Sequence, residues 1–292
     1  MKTGIIDIGS NSVRMAWIDG HPSKTILPKE RLYYSRLAEN ATTSGYLSDV
    51  PVQRTITAVA SLLEEAKAND IEICRISSTS VLREAENSVE VKQQMESALG
   101  RKITILKGTE EARYSYEGAV YGLSDAQKQI AVLDVGGGST ELCWGIKEPC
   151  SASVPVGAVR LKEAAAQIGA LPEALAPLTQ CAPKGAALCL VGVGGTLTTM
   201  AAIFEEMMEY KASQIHQKNY QRVAIESLCG QLKAMTLEQR LNTFPMLSKG
   251  RADIMTQGLD IVITLMKALE INSITISTTD LLFGQLLECH HA

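Results

Sequence analysis

Three short apolar runs open the chain, Ile5 to Ile8, Val13 to Ile18 and a stretch around Lys24 to Tyr34, and their length and polar breaks predict successive antiparallel strands. Asp49 before Val50-Pro51 marks a helix start, and Ile56, Val59, Ala60, Leu63 and Ala66 recur at helical spacing to about Asn69. Ile71 to Ile76 reads as a strand, Ser77 to Ser80 as a polar turn, Val89 to Leu99 as a helix closed by Gly100, and Arg101 to Leu106 as another strand. Gly108-Thr109 then opens a helix to about Tyr121. The order βββαβαβα predicts a mixed sheet covered by helices.

The pattern then restarts. Gln129 to Asp134, Glu141 to Ile146 and Cys150 to Val156 are predicted strands, with a helix after Gly157. Pro172, Pro177 and Pro183 break the next stretch into loop and short helix. Ala187 to Val193 reads as a buried strand, Gly194-Gly195-Thr196 as a turn and Leu197 to Tyr210 as a helix. Tyr220 to Leu269 is mostly helical with a break near Phe244-Pro245, followed by a strand at Ser273 to Ser277 and a helix at Leu281 to Cys289. Two α/β lobes are therefore expected, residues 1–124 and 125–292, meeting near Gly122 to Ala126 without a linker. The final helix, 281–292, is expected to pack back on the first lobe.

The restart repeats residue by residue. Asp7-Ile8-Gly9-Ser10-Asn11-Ser12-Val13-Arg14 aligns without a gap on Asp134-Val135-Gly136-Gly137-Gly138-Ser139-Thr140-Glu141, and Trp17 on Trp144. The step from position 7 to position 134 is too long for a solenoid repeat and suits a duplicated lobe. Glycines in such a turn let the backbone approach a ligand, and their N–H groups can converge on an anion. One turn of this kind also serves hairpins with no ligand. Two of them predict paired phosphate cradles facing a shared cleft.

Composition narrows the class. Apolar residues at 46% and charged residues at 21% are those of a globular protein, and a net charge of −4 gives no global field for nucleic acid. A phosphate chain would need local arginines, backbone amides and a metal. Seven scattered cysteines with no CxxC spacing argue against a disulfide framework or zinc site and for a reducing cytoplasm. The N-terminus does not read as a signal peptide. Gly185 to Phe204 carries no charge, yet its glycines and threonines fit strand, turn and helix better than a membrane span.

Several residues carry candidate chemistry, each with a plainer account beside it. Glu110 and Glu111 stand in the first turn of the helix after Gly108-Thr109, where acids favour the helix dipole, or where one could orient a water for attack on phosphorus. Asp7 and Asp134 are turn aspartates, or matched ligands for a magnesium ion. Glu141 is a solvated strand residue, or a second acid aimed at the metal or its waters. Gly192-Val193-Gly194-Gly195-Thr196 is a tight packing turn or an anion site, lacking both GxGxxG spacing and a Walker lysine. Arg83 and Arg251 are surface arginines or phosphate clamps.

With these residues in view, the chain resembles the exopolyphosphatase/guanosine-pentaphosphate phosphohydrolase family, within the actin, sugar-kinase and heat-shock ATPase superfamily. The matching stretches are IDIGSNSVRM ending at Met15, STSVLREAEN from Ser78, GTEEARYSYEGAV from Gly108, LDVGGGSTEL from Leu133, GAVRL from Gly157, GVGGT from Gly192 and GRADI from Gly250. In this order and spacing they are highly specific.

The resemblance implies two ribonuclease-H-like lobes with an interlobe active site that hydrolyses a terminal phosphoanhydride with Mg²⁺. It implies Glu111 as catalytic base, and Glu141 and Asp134 serving metal and water with Asp7 facing them. Gly9, Ser10, Asn11 and Ser12 would cradle phosphates together with Gly136, Gly137, Gly138 and Ser139, with Gly194, Gly195 and Thr196 as a third anion turn and Arg83 and Arg251 as clamps. The expected ligand is inorganic polyphosphate or a phosphorylated guanosine nucleotide, and a homodimer is common for such folds. Rival functions are a nucleotide phosphohydrolase, a sugar-type kinase and a non-catalytic sensor. Two departures stand out: Leu281-Leu282-Phe283-Gly284 stands where the family often has a Leu-Arg-Glu-Gly box, and the HD-type extension of longer members is expected to be absent. With that and an acidic surface overall, a preference for short polyphosphates is expected.

Overall fold

The computed structural model describes residues 1–23, 27–121, 123, 129–145, 149–164, 170–180, 182–185 and 188–291. The first half runs β1 (Lys2–Ile8), β2 (Val13–Asp19), β3 (Lys29–Tyr33), α1 (Ala41–Ser44), α2 (Asp49–Ala68), β4 (Ile71–Ser78), α3 (Ser80–Glu84), α4 (Ser88–Leu99), β5 (Thr104–Ile105) and α5 (Gly108–Tyr121). The second half runs β6 (Gln129–Val135), β7 (Thr140–Gly145), β8 (Cys150–Val154), α6 (Ala158–Glu163), α7 (Leu171–Thr179), β9 (Leu188–Val193), α8 (Gly195–Phe204), α9 (Ala212–Ile215), β10 (Asn219–Gln221), α10 (Arg222–Ala234), α11 (Leu237–Thr243), α12 (Met255–Ala268), β11 (Ser273–Ile276) and α13 (Leu281–His291).

The first sheet has the order β3-β2-β1-β4-β5 and the second the order β10-β11-β9-β6-β7-β8. Apart from the added edge strand β10, the two orders are the same, and so are the directions: an antiparallel hairpin leads each lobe, and its first strand pairs in parallel with the fourth. These are two ribonuclease-H-like lobes. The expected division near Gly122 to Ala126 falls largely outside the described residues.

Local patterning failed where elements are short. β4 runs on through Ser77 and Ser78 of the predicted polar turn, and a short helix, Ser80–Glu84, follows it with Ser80, Val81 and Leu82 buried. The edge strand β10 was hidden in a segment read as helical, since only Tyr220 of its three residues is buried. The predicted strand Arg101 to Leu106 narrows to Thr104–Ile105, and the helix expected to reach Tyr210 ends at Phe204.

Packing crosses the chain order. Ala112, Tyr116 and Ala119 of α5 bury against Ile130, Val132, Cys143, Val191 and Val193 of the second sheet. Leu282, Phe283, Leu286 and Leu287 of α13 bury against Ile5, Ala16 and Ile18 of the first. The range 1–124 assigns α5 to the first lobe by sequence, but its apolar face belongs to the second. The altered box is thereby explained: Leu282 and Phe283 are 0% and 1% exposed, core residues of the helix–sheet contact. The two crossing helices meet at glycines. A Cβ on Gly118 would lie 2.1 Å from the Asp280 carbonyl oxygen, and one on Gly284 would lie 2.0 Å from that of Tyr114. Among the described residues no helix is long and apolar enough to cross a membrane.

Candidate active site

The cleft between the lobes is framed by the two hairpins. Each turn closes in the same way, Gly9 N–H donating to the Ser12 carbonyl at 2.9 Å and Gly136 N–H to that of Ser139 at 3.0 Å. The turns face each other across the lobe boundary so closely that a Cβ on Gly138 would lie 2.3 Å from Ser80 Oγ and 2.6 Å from Ser10 Oγ. A side chain at 138 would displace these two serine hydroxyls from the approach of the turns, with no positive φ involved. The cleft has a volume of about 390 Å³ and is lined by both turns, Asp7, Glu111, Asp134, Gly194, Gly195, Thr196 and Arg251.

Strand register places the acids. Asp7 lies opposite Arg14 in β1/β2, and Asp134 opposite Glu141 in β6/β7. Asp7 Oδ1 accepts from Ser77 Oγ at 3.0 Å, and Asp134 Oδ2 accepts from Ser115 Oγ at 2.7 Å. Glu141 Oε1 accepts from Ser153 Oγ at 2.7 Å, while its Oε2 is buried without a hydrogen-bond partner. Glu111, from the first turn of α5, accepts from Arg83 Nη1 at 3.1 Å. Its neighbour Glu110 turns back to accept the Lys107 N–H at 2.8 Å, an ordinary helix-start contact.

Burial governs the charge states. It pushes Asp7 and Asp134 up to about 6, with the Arg14 cation opposing the shift at Asp7 and the Asp280 carboxylate adding to it at Asp134. Glu141 is pushed up to about 8 by burial and then by Asp134. Glu111 lies well above the carboxylate range because it is buried and faces Glu141, against which Arg83 works. The oxygen ligands that these carboxylates offer are of the kind that could hold a magnesium ion. Among the described residues no three Asp, Glu, His or Cys side chains converge on one point. A magnesium ion there would take one or two carboxylates and complete its shell with water and phosphate oxygens. The orphaned Glu141 Oε2 supplies the unsatisfied acceptor that such an ion, or a water bound to it, would meet.

The expected site residues are not all equivalent. Arg251 lines the cleft, its guanidinium lying against Gly195 and near the Tyr34 ring, 5.9 Å from its centroid. Arg83 does not line it: it donates to Glu111 and to the Leu106 carbonyl at 2.8 Å, so it orients the acid and is not poised as a clamp. Glu141 also lies behind the cleft wall, 1% exposed. Residues that sequence reasoning passed over include Arg14, Glu30, Tyr34, Tyr210 and Asp280. Arg14 had a signal, since it aligns with Glu141 in the internal repeat; Asp280 had none. Contacts link the two lobes beside the cleft: Asn11 Nδ2 donates to the Gly250 carbonyl at 3.0 Å, Arg36 pairs with Asp253 at 2.8 Å, and Arg160 pairs with Glu84.

A model of the Ppx/GppA phosphatase family matches residues 16–291. The chain belongs to this family. Exopolyphosphatase 2 of Mycobacterium tuberculosis is 30% identical over 312 residues, 97% of this chain and 97% of that protein. A guanosine-5'-triphosphate,3'-diphosphate pyrophosphatase of Photobacterium profundum is 28% identical over 305 residues, 97% of this chain but 58% of that protein. The crystal structure of the Aquifex aeolicus Ppx/GppA family member superposes with a TM-score of 0.77 at 26% identity, covering 100% of this chain and 98% of that one. That agreement extends over both lobes of the Ppx/GppA fold.

Proposed function

We propose that this Ppx/GppA chain is an exopolyphosphatase that releases the terminal phosphate of inorganic polyphosphate with Mg²⁺. The observation that carries the reading is the apposition of two anion-cradling turns over a buried Glu111, with a similar protein named exopolyphosphatase matching along almost its whole length. The amides of Gly9 to Ser12 and of Gly136 to Ser139 bind the terminal phosphates from opposite lobes, and Gly194 to Thr196 with Arg251 bind the next ones. Glu111, held by Arg83, accepts a proton from the attacking water on the side away from the leaving phosphate. Magnesium, held by Asp134 and Asp7 with Glu141 on its waters, would offset the charge on the phosphate oxygens. The enzyme mainly positions groups.

The test is phosphate release from a defined polyphosphate in Mg²⁺, beside guanosine pentaphosphate. Turnover of the nucleotide alone would replace this reading with a nucleotide phosphohydrolase, which the apolar part of the cleft at Leu32, Tyr34, Tyr210 and Met246 would accommodate. Binding of both without turnover would favour a sensor. Arg251→Ala is expected to raise KM for polyphosphate about tenfold or more, since a charge-assisted contact contributes roughly 1.5–3 kcal/mol.

Metal removal gives a pH signature. In the metal-free protein the folded state holds protons that the unfolded chain has already lost at about pH 4. Stability therefore falls as pH rises through the window up to about 6 for Asp7 and Asp134 and about 8 for Glu141. Magnesium replaces those protons, so its stabilisation grows across the same window. Thermal melts with and without Mg²⁺ are expected to differ more at pH 8.5 than at pH 5; an equal shift at both would remove these carboxylates from the metal site.

A further inference from the structure

Strand β4 carries an irregularity that re-aims two of its side chains. Gly4 of β1 pairs with Ile73 and Ile5 with Arg75, so Cys74 is an extra residue with no partner in β1. Ile71, Ile73 and Ile76 bury in the core beneath α2 and α4, and strict alternation would send Arg75 to the face of Ile71 and Ile73. The extra residue instead turns Cys74 and Arg75 together to the other face, covered by α5 and α13. There Arg75 Nη1 donates to Tyr114 Oη at 3.1 Å and Nη2 to Glu288 Oε2 at 2.8 Å. Helix α13 runs back along β4 on that face. Gln285 Nε2 donates to Ser77 Oγ at 3.1 Å, Glu288 meets Arg75, and Cys289, one turn beyond Gln285, comes over Cys74. The two thiols adjoin. Both are reduced; Cys74 is exposed, and Cys289 is half-buried against the apolar contact of α13 with the first sheet.

We propose that Cys74 and Cys289 form a reversible disulfide that latches the last helix to the first sheet, with a low-molecular-weight disulfide as the oxidant. The exposed Cys74 gives up its proton, and its sulfur attacks one sulfur of that disulfide. The oxidant's S–S bond breaks, and the departing thiolate takes up a proton. Cys289 then loses its proton and attacks the Cys74 sulfur of the mixed disulfide, releasing the second small thiol. Two protein thiols are oxidised to one disulfide while one small disulfide is reduced to two thiols. Burial, and then the adjoining Cys289 thiol, push the Cys74 thiol up to about 11, so thiolate is scarce near pH 7 and the exchange runs over minutes to hours. In a reducing compartment both sulfurs stay thiols; an excess of small disulfide closes the latch. The bond joins distant parts of the chain, so it removes freedom chiefly from the unfolded state. It also acts on the helix crossing. Helix α13 meets α5 at Gly118 and Gly284 and begins beside Asp280, which accepts from Arg14 Nη1 at 2.6 Å.

The test is incubation of the full chain with excess glutathione disulfide, followed by thiol alkylation, non-reducing peptide mapping and a thermal melt. The native chain is expected to yield a cross-linked pair of peptides holding Cys74 and Cys289. It is expected to melt about 5 °C or more above the reduced chain, with dithiothreitol reversing both changes. Cys74→Ser should give neither the link nor the rise, and Cys289→Ser should leave Cys74 carrying a glutathione. A native map without that link, or with the two cysteines carrying glutathione separately, would overturn the proposal even if either variant failed to fold. A link with an unchanged melt, or an equal rise in Cys74→Ser, would show that this bond latches nothing. No readout here depends on phosphate release, so the latch and the exopolyphosphatase reading fail separately.

Discussion

Glu111→Gln is expected to lower phosphate release by about 10²- to 10⁴-fold, the range supplied by a positioned general base. The amide keeps the size of the side chain and can still accept from Arg83, so cradle and clamp geometry should persist. Burial already disfavours the charged carboxylate, so the variant should melt no lower than the native chain. The combination separates chemistry from folding. Glu110→Gln is the control: its carboxylate serves the Lys107 N–H, so turnover should change by less than about twofold while stability drops by roughly 0.5–1 kcal/mol. Equal activity losses in both variants would mean that the first turn of α5 matters as a helix end and that Glu111 is not the base.

Gly118→Ala is expected to have the largest effect on stability, about 2–3 kcal/mol. Its Cβ would lie 2.1 Å from a backbone carbonyl oxygen, so relief requires α5 and α13 to move apart; no side chain can simply rotate away. Gly284→Ala makes the reciprocal collision and should cost about as much. The double variant should cost less than the sum, because helices already separated by one methyl accommodate the other. Additive losses in urea unfolding would show that the two contacts yield independently and that the crossing is not one rigid joint. Activity should fall as well, since α5 carries Glu111 and α13 begins at the partner of Arg14.

Both expectations turn on the same architecture. Each lobe's last helix packs on the sheet of the other lobe, so Glu111 and the two glycine hairpins of the cleft are joined through the helix crossing and through β-sheet register. A displacement at Gly118 reaches the site through packed backbone. Arg83 belongs to this scheme: its two contacts fix Glu111 against the Leu106 carbonyl at the end of the first sheet.

The sequence by itself determined the duplication, the order of most elements, and the positions of Asp7, Asp134, Glu111, Glu141 and the two glycine turns. These are local features: strand period, helix spacing, and a repeat of residue types across one hairpin carry them, and neighbours in sequence are the partners that matter. Helix position alone left a choice between Glu110 and Glu111, since both suit the first turn of a helix, and the family resemblance pointed to Glu111. Only the tertiary structure decided that Glu111 points into the cleft and Glu110 back to its own backbone. Tertiary structure likewise decided that α5 and α13 exchange sheets, that Leu282 and Phe283 are core residues, and that Arg83 serves an acid. The pairing of Arg14 with Asp280, 266 positions apart, was invisible for the same reason. Such contacts depend on which apolar faces cover which sheets, and one-dimensional periodicity says that a helix has a buried face without saying what buries it.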